Sequence, residues 1–326
     1  TDRRQFLKEI SLSAAGFSAV SYLAACGSVG RVESVSAGAL AFDEALTLIK
    51  KAAPRGNHGP MAAEALVSLG RTDKLKDFVP SFVGSSRGYP QATEEINSSN
   101  WKKALGKRNW ETDWTYFFER EISVGDWKLA VDEWSAILAP GLRGVATHGV
   151  IRAGHAVRSF QRKESDVRKL ELAQALGYWA SSYQTLPEAT EAITVKYEIP
   201  AAIEKIPVIP YERIPKVTSV HRRLTALEGF DEFERVTEFL DYEGDTGKII
   251  SELTREFAKG IVKKLDPSNV VTLVHIITSL VSIRNLSSVV SEETSKKLLY
   301  YGWQAAAGLY SISGEVKQDR EFDSIT

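Results

Sequence analysis

The sequence predicts an all-α protein, a single multi-helix domain. Three observations predict it. Apolar residues recur every three or four positions in one stretch after another, the spacing of a helix face. The one stretch rich in β-branched residues, 187–215, is cut by Pro187, Pro200, Pro207, Pro210 and Pro215, a density that no central strand tolerates. Glycine and proline punctuate the gaps between the periodic stretches.

The N-terminus reads as an address that precedes this fold. Arg3-Arg4-Gln5-Phe6-Leu7-Lys8 leads into a mildly apolar run from Ile10 to Ala25 and resembles a twin-arginine export signal. That run is too short and too polar for a stable membrane span. It ends in Leu23-Ala24-Ala25-Cys26-Gly27, which looks like a bacterial lipobox, with Cys26 the only cysteine of the chain. The expectation is a cleaved signal peptide over 1–25, a lipidated Cys26, a tether over 26–37 and a helical domain over 38–326. The twin-arginine translocase is then the export partner. The mature chain would sit in the cell envelope on the periplasmic side, anchored to the membrane through Cys26.

Within the domain, Leu40, Ala41, Ala45, Leu46, Leu48 and Ile49 mark a helix ending at Lys51. Pro54 to Pro60 breaks it, and Pro60 suits the first turn of a helix from Met61 to Leu69 that stops at Gly70. Phe78 to Tyr89 reads as a loop. It holds Gly84-Ser85-Ser86-Arg87-Gly88, a chance match to a hydrolase elbow, because no strand leads into it. Trp110 to Ile122 and Trp127 to Leu138 are aromatic-rich helices split at Gly125. Pro140-Gly141 turns the chain into a helix through His148 and His155, and Val167 to Leu186 forms a long helix. Residues 187–215 read as an extended loop. Helices over Arg222 to Asp241, Lys248 to Lys264, Asn269 to Ile283 and Glu292 to Ser311 complete the chain. The third of these four is apolar nearly all round, as a buried helix is.

The charge is nearly balanced, with 41 Lys and Arg against 42 Asp and Glu, so no basic footprint for nucleic acid exists. There is no H-E-x-x-H, no Glu three residues before a histidine, no dinucleotide or phosphate-loop fingerprint and no C-x-x-C. Candidate chemistry therefore rests on four of the five histidines, His58, His148, His155 and His275. His148 and His155 lie seven residues apart, about 10 Å along a helix axis, with Arg152 on the same face. His58 sits in a Gly- and Pro-flanked turn, and His275 is central in the apolar helix, where a buried imidazole needs a hydrogen bond or a metal. His221 reads as a surface residue. Imidazole-rich sites suit Fe, Zn, Cu or Ni. The bland alternative, histidines bonded to backbone, stays open. Trp179 and Tyr183 offer flat rings for a cleft.

Asn57-His58-Gly59-Pro60-Met61 with Ala65-Leu66 and Leu69-Gly70, Pro140-Gly141-Leu142, Thr147-His148-Gly149-Val150-Ile151-Arg152, Leu172 to Trp179, and Val274-His275-Ile276-Ile277-Thr278 together resemble the questin oxidase-like family. That resemblance implies a helical enzyme that oxidises or opens an aromatic or quinone-like ring. In iron-type members, histidines at the matching places and a carboxylated lysine look like the ligand set. Carried over, this implies His58, His148, His155 and His275 as iron ligands with O2 as co-substrate; no motif anchors the lysine. Arg152 would steer a substrate oxygen, and Trp179 and Tyr183 would wall a small aromatic substrate. Two alternatives follow the same residues: metal-free, NADPH-dependent Baeyer–Villiger-type oxidation, and a non-catalytic lipoprotein that binds a ligand or partner.

Overall fold

The computed structural model describes residues 35–51, 58–83, 90–189, 195–264 and 269–313. The export signal, the lipobox at Cys26 and the Gly84–Gly88 match lie outside them. Among the described residues the regular structure is helical, and β pairing is limited to two isolated bridges, Leu142 with Gln184 and Tyr197 with Leu240. The described residues form two compact units: those within 35–131 together with 149–182, and those within 132–148 together with 183–313.

In the first unit, α1 (Val35–Lys51), α2 (Gly59–Ser68) and α3 (Leu75–Val83) pack on one another, and α1 also meets the later helix α8 (Asp166–Ser181). Their shared core is Phe42, Leu46, Ile49, Leu66, Phe78 and Val79. Helix α1 starts at Val35, inside the stretch read as tether. Helix α3 corrects the loop reading from Phe78 onward. Leu75, Phe78 and Val79 are buried on one side, whereas Pro80 and Lys76 face water. The helix tolerates Pro80 because water can satisfy the Lys76 carbonyl that the missing amide leaves. The short α4 (Trp101–Ala104) precedes α5 (Glu111–Val124), which packs along α8. The chain then enters α6 (Trp127–Leu138) and α7 (His148–Arg162).

Helix α8 stops at Ser181 rather than running to Leu186. The Ser182 hydroxyl donates to the Tyr178 carbonyl at 2.6 Å and closes the helix end, and Gln184 is held in the bridge to Leu142.

In the second unit, α12 (Thr246–Lys264), α13 (Val270–Ser287) and α14 (Glu292–Ser311) pack side by side, and the short α9 (Ile199–Glu204) lies on α12. Helix α13 is apolar and long enough to cross a membrane by length and composition, at a mean hydropathy of 1.5, yet 61% of it is buried. That burial suits the core helix its all-round apolar pattern predicts. The expected helix from Arg222 to Asp241 does not form. It is replaced by α10 (Val220–Arg223), α11 (Asp231–Glu234) and short 3-10 turns at Leu224–Leu227 and Val236–Glu238, broken at Gly229 with φ +70°. Leu224, Leu227, Phe230, Phe233 and Val236 are all buried. Their repeat is three, not 3.6, so a succession of tight turns keeps them on one side where an α-helix would rotate them apart.

Candidate functional site

Two of the five histidines meet in the second unit. The rings of His148, at the first residue of α7, and His275, in α13, lie 4.8 Å apart between centroids and are tilted by 60°. Each ring is held by its Nδ1. His148 Nδ1 lies 2.6 Å from the Val145 carbonyl oxygen, and His275 Nδ1 lies 2.5 Å from the Val271 carbonyl oxygen one helical turn back. A carbonyl oxygen only accepts, so Nδ1 carries a hydrogen in both rings, an arrangement that in a neutral imidazole leaves the lone pair on Nε2. His148 is half-buried by area. Loss of hydration at its ring outweighs the backbone hydrogen bonds and lowers its pKa, so it is neutral at pH 7.

The backbone that presents His148 is unusual. Val145, Ala146 and Thr147 all have positive φ, at 49°, 53° and 65°, a single left-handed turn built without glycine. Each such residue costs about 1–2 kcal/mol, and the β-branched Val145 and Thr147 are the least suited. The turn is tied down by Ala146 N–H donating to the Arg143 carbonyl at 3.0 Å and His148 N–H donating to the Val145 carbonyl at 3.3 Å. Strain of this kind gathers at functional sites, and His148 follows directly on this turn.

In the first unit, Gly149 lets α7 press against α8. A Cβ on Gly149 would lie 2.8 Å from Trp179 Cα. Trp179 is fully buried, and its indole N–H has no hydrogen-bond partner among the described residues.

His155 belongs to a charged cluster in the same unit. Its Nδ1 lies 2.7 Å from Glu64 Oε2. Glu64 also accepts from Arg158 Nε at 2.9 Å, from Arg162 Nη1 at 3.2 Å and from the Ser68 hydroxyl at 2.7 Å. Burial by itself would raise the Glu64 carboxyl pKa. The Arg158 charge, then the hydrogen bond from His155, overcome it and hold the pKa well below the usual range. Burial is the largest influence on His155 too and lowers its pKa, against the pull of Glu64. A neutral His155 donating from Nδ1 to an ionised Glu64 follows.

Arg152, expected to steer substrate, instead makes a buried ion pair. Its Nε and Nη2 donate to the two carboxylate oxygens of Glu171 at 2.7 and 3.0 Å, and both side chains are 3% exposed. His58 is half-buried at the start of α2. His221 is half-buried in α10. Tyr183 lies in the second unit, its ring over Gly141 so closely that a Cβ there would sit 2.1 Å from Tyr183 Cδ2.

Among the described residues no group of three or more His, Cys, Asp or Glu side chains is gathered for a metal ion. Of the four histidines marked by sequence, the structure shows His148 paired with His275, His155 bonded to Glu64, and His58 at a helix start. Sequence reasoning passed over Glu64 and Glu171. Glu64 left a trace: it is the only charge in Met61-Ala62-Ala63-Glu64-Ala65-Leu66, an otherwise apolar helix face. The left-handed turn left none.

Compared with known families, the family model described as Questin oxidase-like matches residues 57–264. No curated protein and no solved structure matches the chain.

Proposed function

The chain belongs to the questin oxidase-like family, a family of oxidoreductases, and we propose that it oxidises an aromatic or quinone-like substrate with dioxygen at an iron held by His148 and His275. The carrying observation is the pair itself. Two imidazole rings lie 4.8 Å apart, and each is fixed through Nδ1 by a backbone carbonyl. Histidines that bind metals are oriented in this way, the second ring nitrogen donating to a carbonyl or carboxylate so that the first keeps its lone pair. Neutral nitrogen donors suit iron among other first-row metals.

Bound iron would supply the one-electron chemistry that lets dioxygen react with an organic ring. The chain's own part is orientation. Val145 and Val271 hold the two rings, and the strain in Val145–Thr147 is the expense of aiming His148.

The test is elemental analysis of protein purified from its native host without chelators. One iron per chain is expected. His148→Ala and His275→Ala should each lose most of it, and His221→Ala should keep it. His58→Ala and His155→Ala in the same series decide whether those two also bind. Metal-free wild type would sink the iron reading; NADPH consumption on an aromatic substrate would then identify metal-free oxidation.

A further inference from the structure

The second unit contains an open groove of about 580 Å³, within the size range of small-molecule sites. Its lining includes the apolar surfaces of Tyr183, Leu186 and Pro187, together with Arg143 and Glu228. Arg143 is the unusual member. Its side chain is only 8% exposed, whereas that of its partner Glu228 is 62% exposed. Glu228 engages it with one oxygen, Oε1, which accepts from Nη2 at 3.0 Å. Nη1 donates to the Thr185 carbonyl at 3.2 Å. The Nε–H is buried and has no partner among the described residues.

A guanidinium presents a planar fork that a carboxylate grips with both oxygens. Glu228 uses that fork singly and from a solvent-exposed position, so it can swing into water at small cost. A ligand carboxylate could replace it and bond the fork more fully. We infer that this groove binds a small aryl carboxylate. Its carboxylate pairs with Arg143 in place of Glu228, and its ring lies on Tyr183, Leu186 and Pro187. A single negative charge fits best, because a dianion would meet the Glu228 carboxylate with excess charge. The close seat of Tyr183 on Gly141 holds the Tyr183 ring in place.

Benzoate is the probe and benzamide its uncharged counterpart, titrated calorimetrically into metal-free protein. Benzoate should bind, and benzamide should bind at least about tenfold more weakly. Glu228→Gln removes the competing charge from an exposed side chain and should tighten benzoate about two- to fivefold. Arg143→Lys keeps the charge but loses the fork and should weaken benzoate about tenfold or more. If Arg143→Lys fails to fold, Glu228→Gln still decides. No binding to wild type and Glu228→Gln up to about 20 mM, equal binding of benzamide, or weaker binding to Glu228→Gln would each overturn the inference. None of these results bears on whether His148 and His275 hold iron, because the titration uses metal-free protein.

Discussion

The imidazole of His148 lies 4.8 Å from that of His275, from residues 127 positions apart in the chain. One ring is set by a strained turn, the other by the carbonyl a helical turn before it. Both ends of this relationship are open to experiment.

The turn should trade stability against function. Val145→Gly relieves one left-handed residue, worth about 1–2 kcal/mol, and costs about 0.5–1 kcal/mol in chain entropy. A net gain of up to about 1.5 kcal/mol in urea unfolding is expected, together with weaker iron retention, since the His148 ring is aimed less firmly. Unchanged iron content in this variant would show that the strain does not serve the ring.

Glu64 should matter more to stability than any exposed charge. Glu64→Ala strands the buried His155 and the Arg158 guanidinium that now bond to it. Removing one partner of a buried charged cluster costs about 3–5 kcal/mol. Glu64→Gln should recover part of that loss, because its amide oxygen still accepts from His155. Nitrogen NMR of the His155 ring provides a second reading: the hydrogen should sit on Nδ1 in wild type and Glu64→Gln, and redistribute in Glu64→Ala.

Lys50 should give the protein a stability slope at alkaline pH. Its amine donates to the Val167 carbonyl at 2.9 Å. Burial lowers its pKa to about 7; Glu171 opposes this and Arg152 adds to it. The unfolded chain holds that proton up to a pKa of about 10.4. Between these values the unfolded state binds more protons, so this group's contribution to stability rises from about pH 7 to about pH 10 and is lost as pH falls back to 7. Lys50→Met should flatten that part of the stability profile, measured by denaturant midpoints at successive pH values. An identical slope in the variant would assign it to another group.

Gly149→Ala sets two effects against each other. Alanine improves helix propensity by about 1 kcal/mol. Its Cβ would lie 2.8 Å from Trp179 Cα, a backbone atom that cannot rotate away. Overpacking typically costs about 1–3 kcal/mol, so a net loss of thermal stability is expected. A stabilised variant would mean that α7 and α8 separate readily.

Export is a separate proposal, resting on Arg3-Arg4 and the Leu23–Cys26 box. Arg3→Lys with Arg4→Lys should leave precursor in the cytoplasm, and Cys26→Ser should be released from the membrane fraction. Normal fractionation of both variants would remove the envelope location.

Apolar periodicity by itself determined the helical class, the bounds of Trp127–Leu138 and Glu292–Ser311, and the buried character of the helix around His275. It did so because a helix face repeats within the reach of local sequence. Where the repeat shortened to three, from Leu224 to Val236, the same reading failed, since tight turns and helices share apolar composition and differ in rotation per residue. The histidines were legible as residue types, but their partners were not. Only the tertiary structure decided that His148 faces His275, that His155 bonds to a carboxylate 91 residues away, and that Arg152 spends its fork on Glu171. Those pairings join residues brought together by core packing, and a positive φ at Val145, Ala146 and Thr147 is imposed by the contacts around the turn against the preference of the residues that form it.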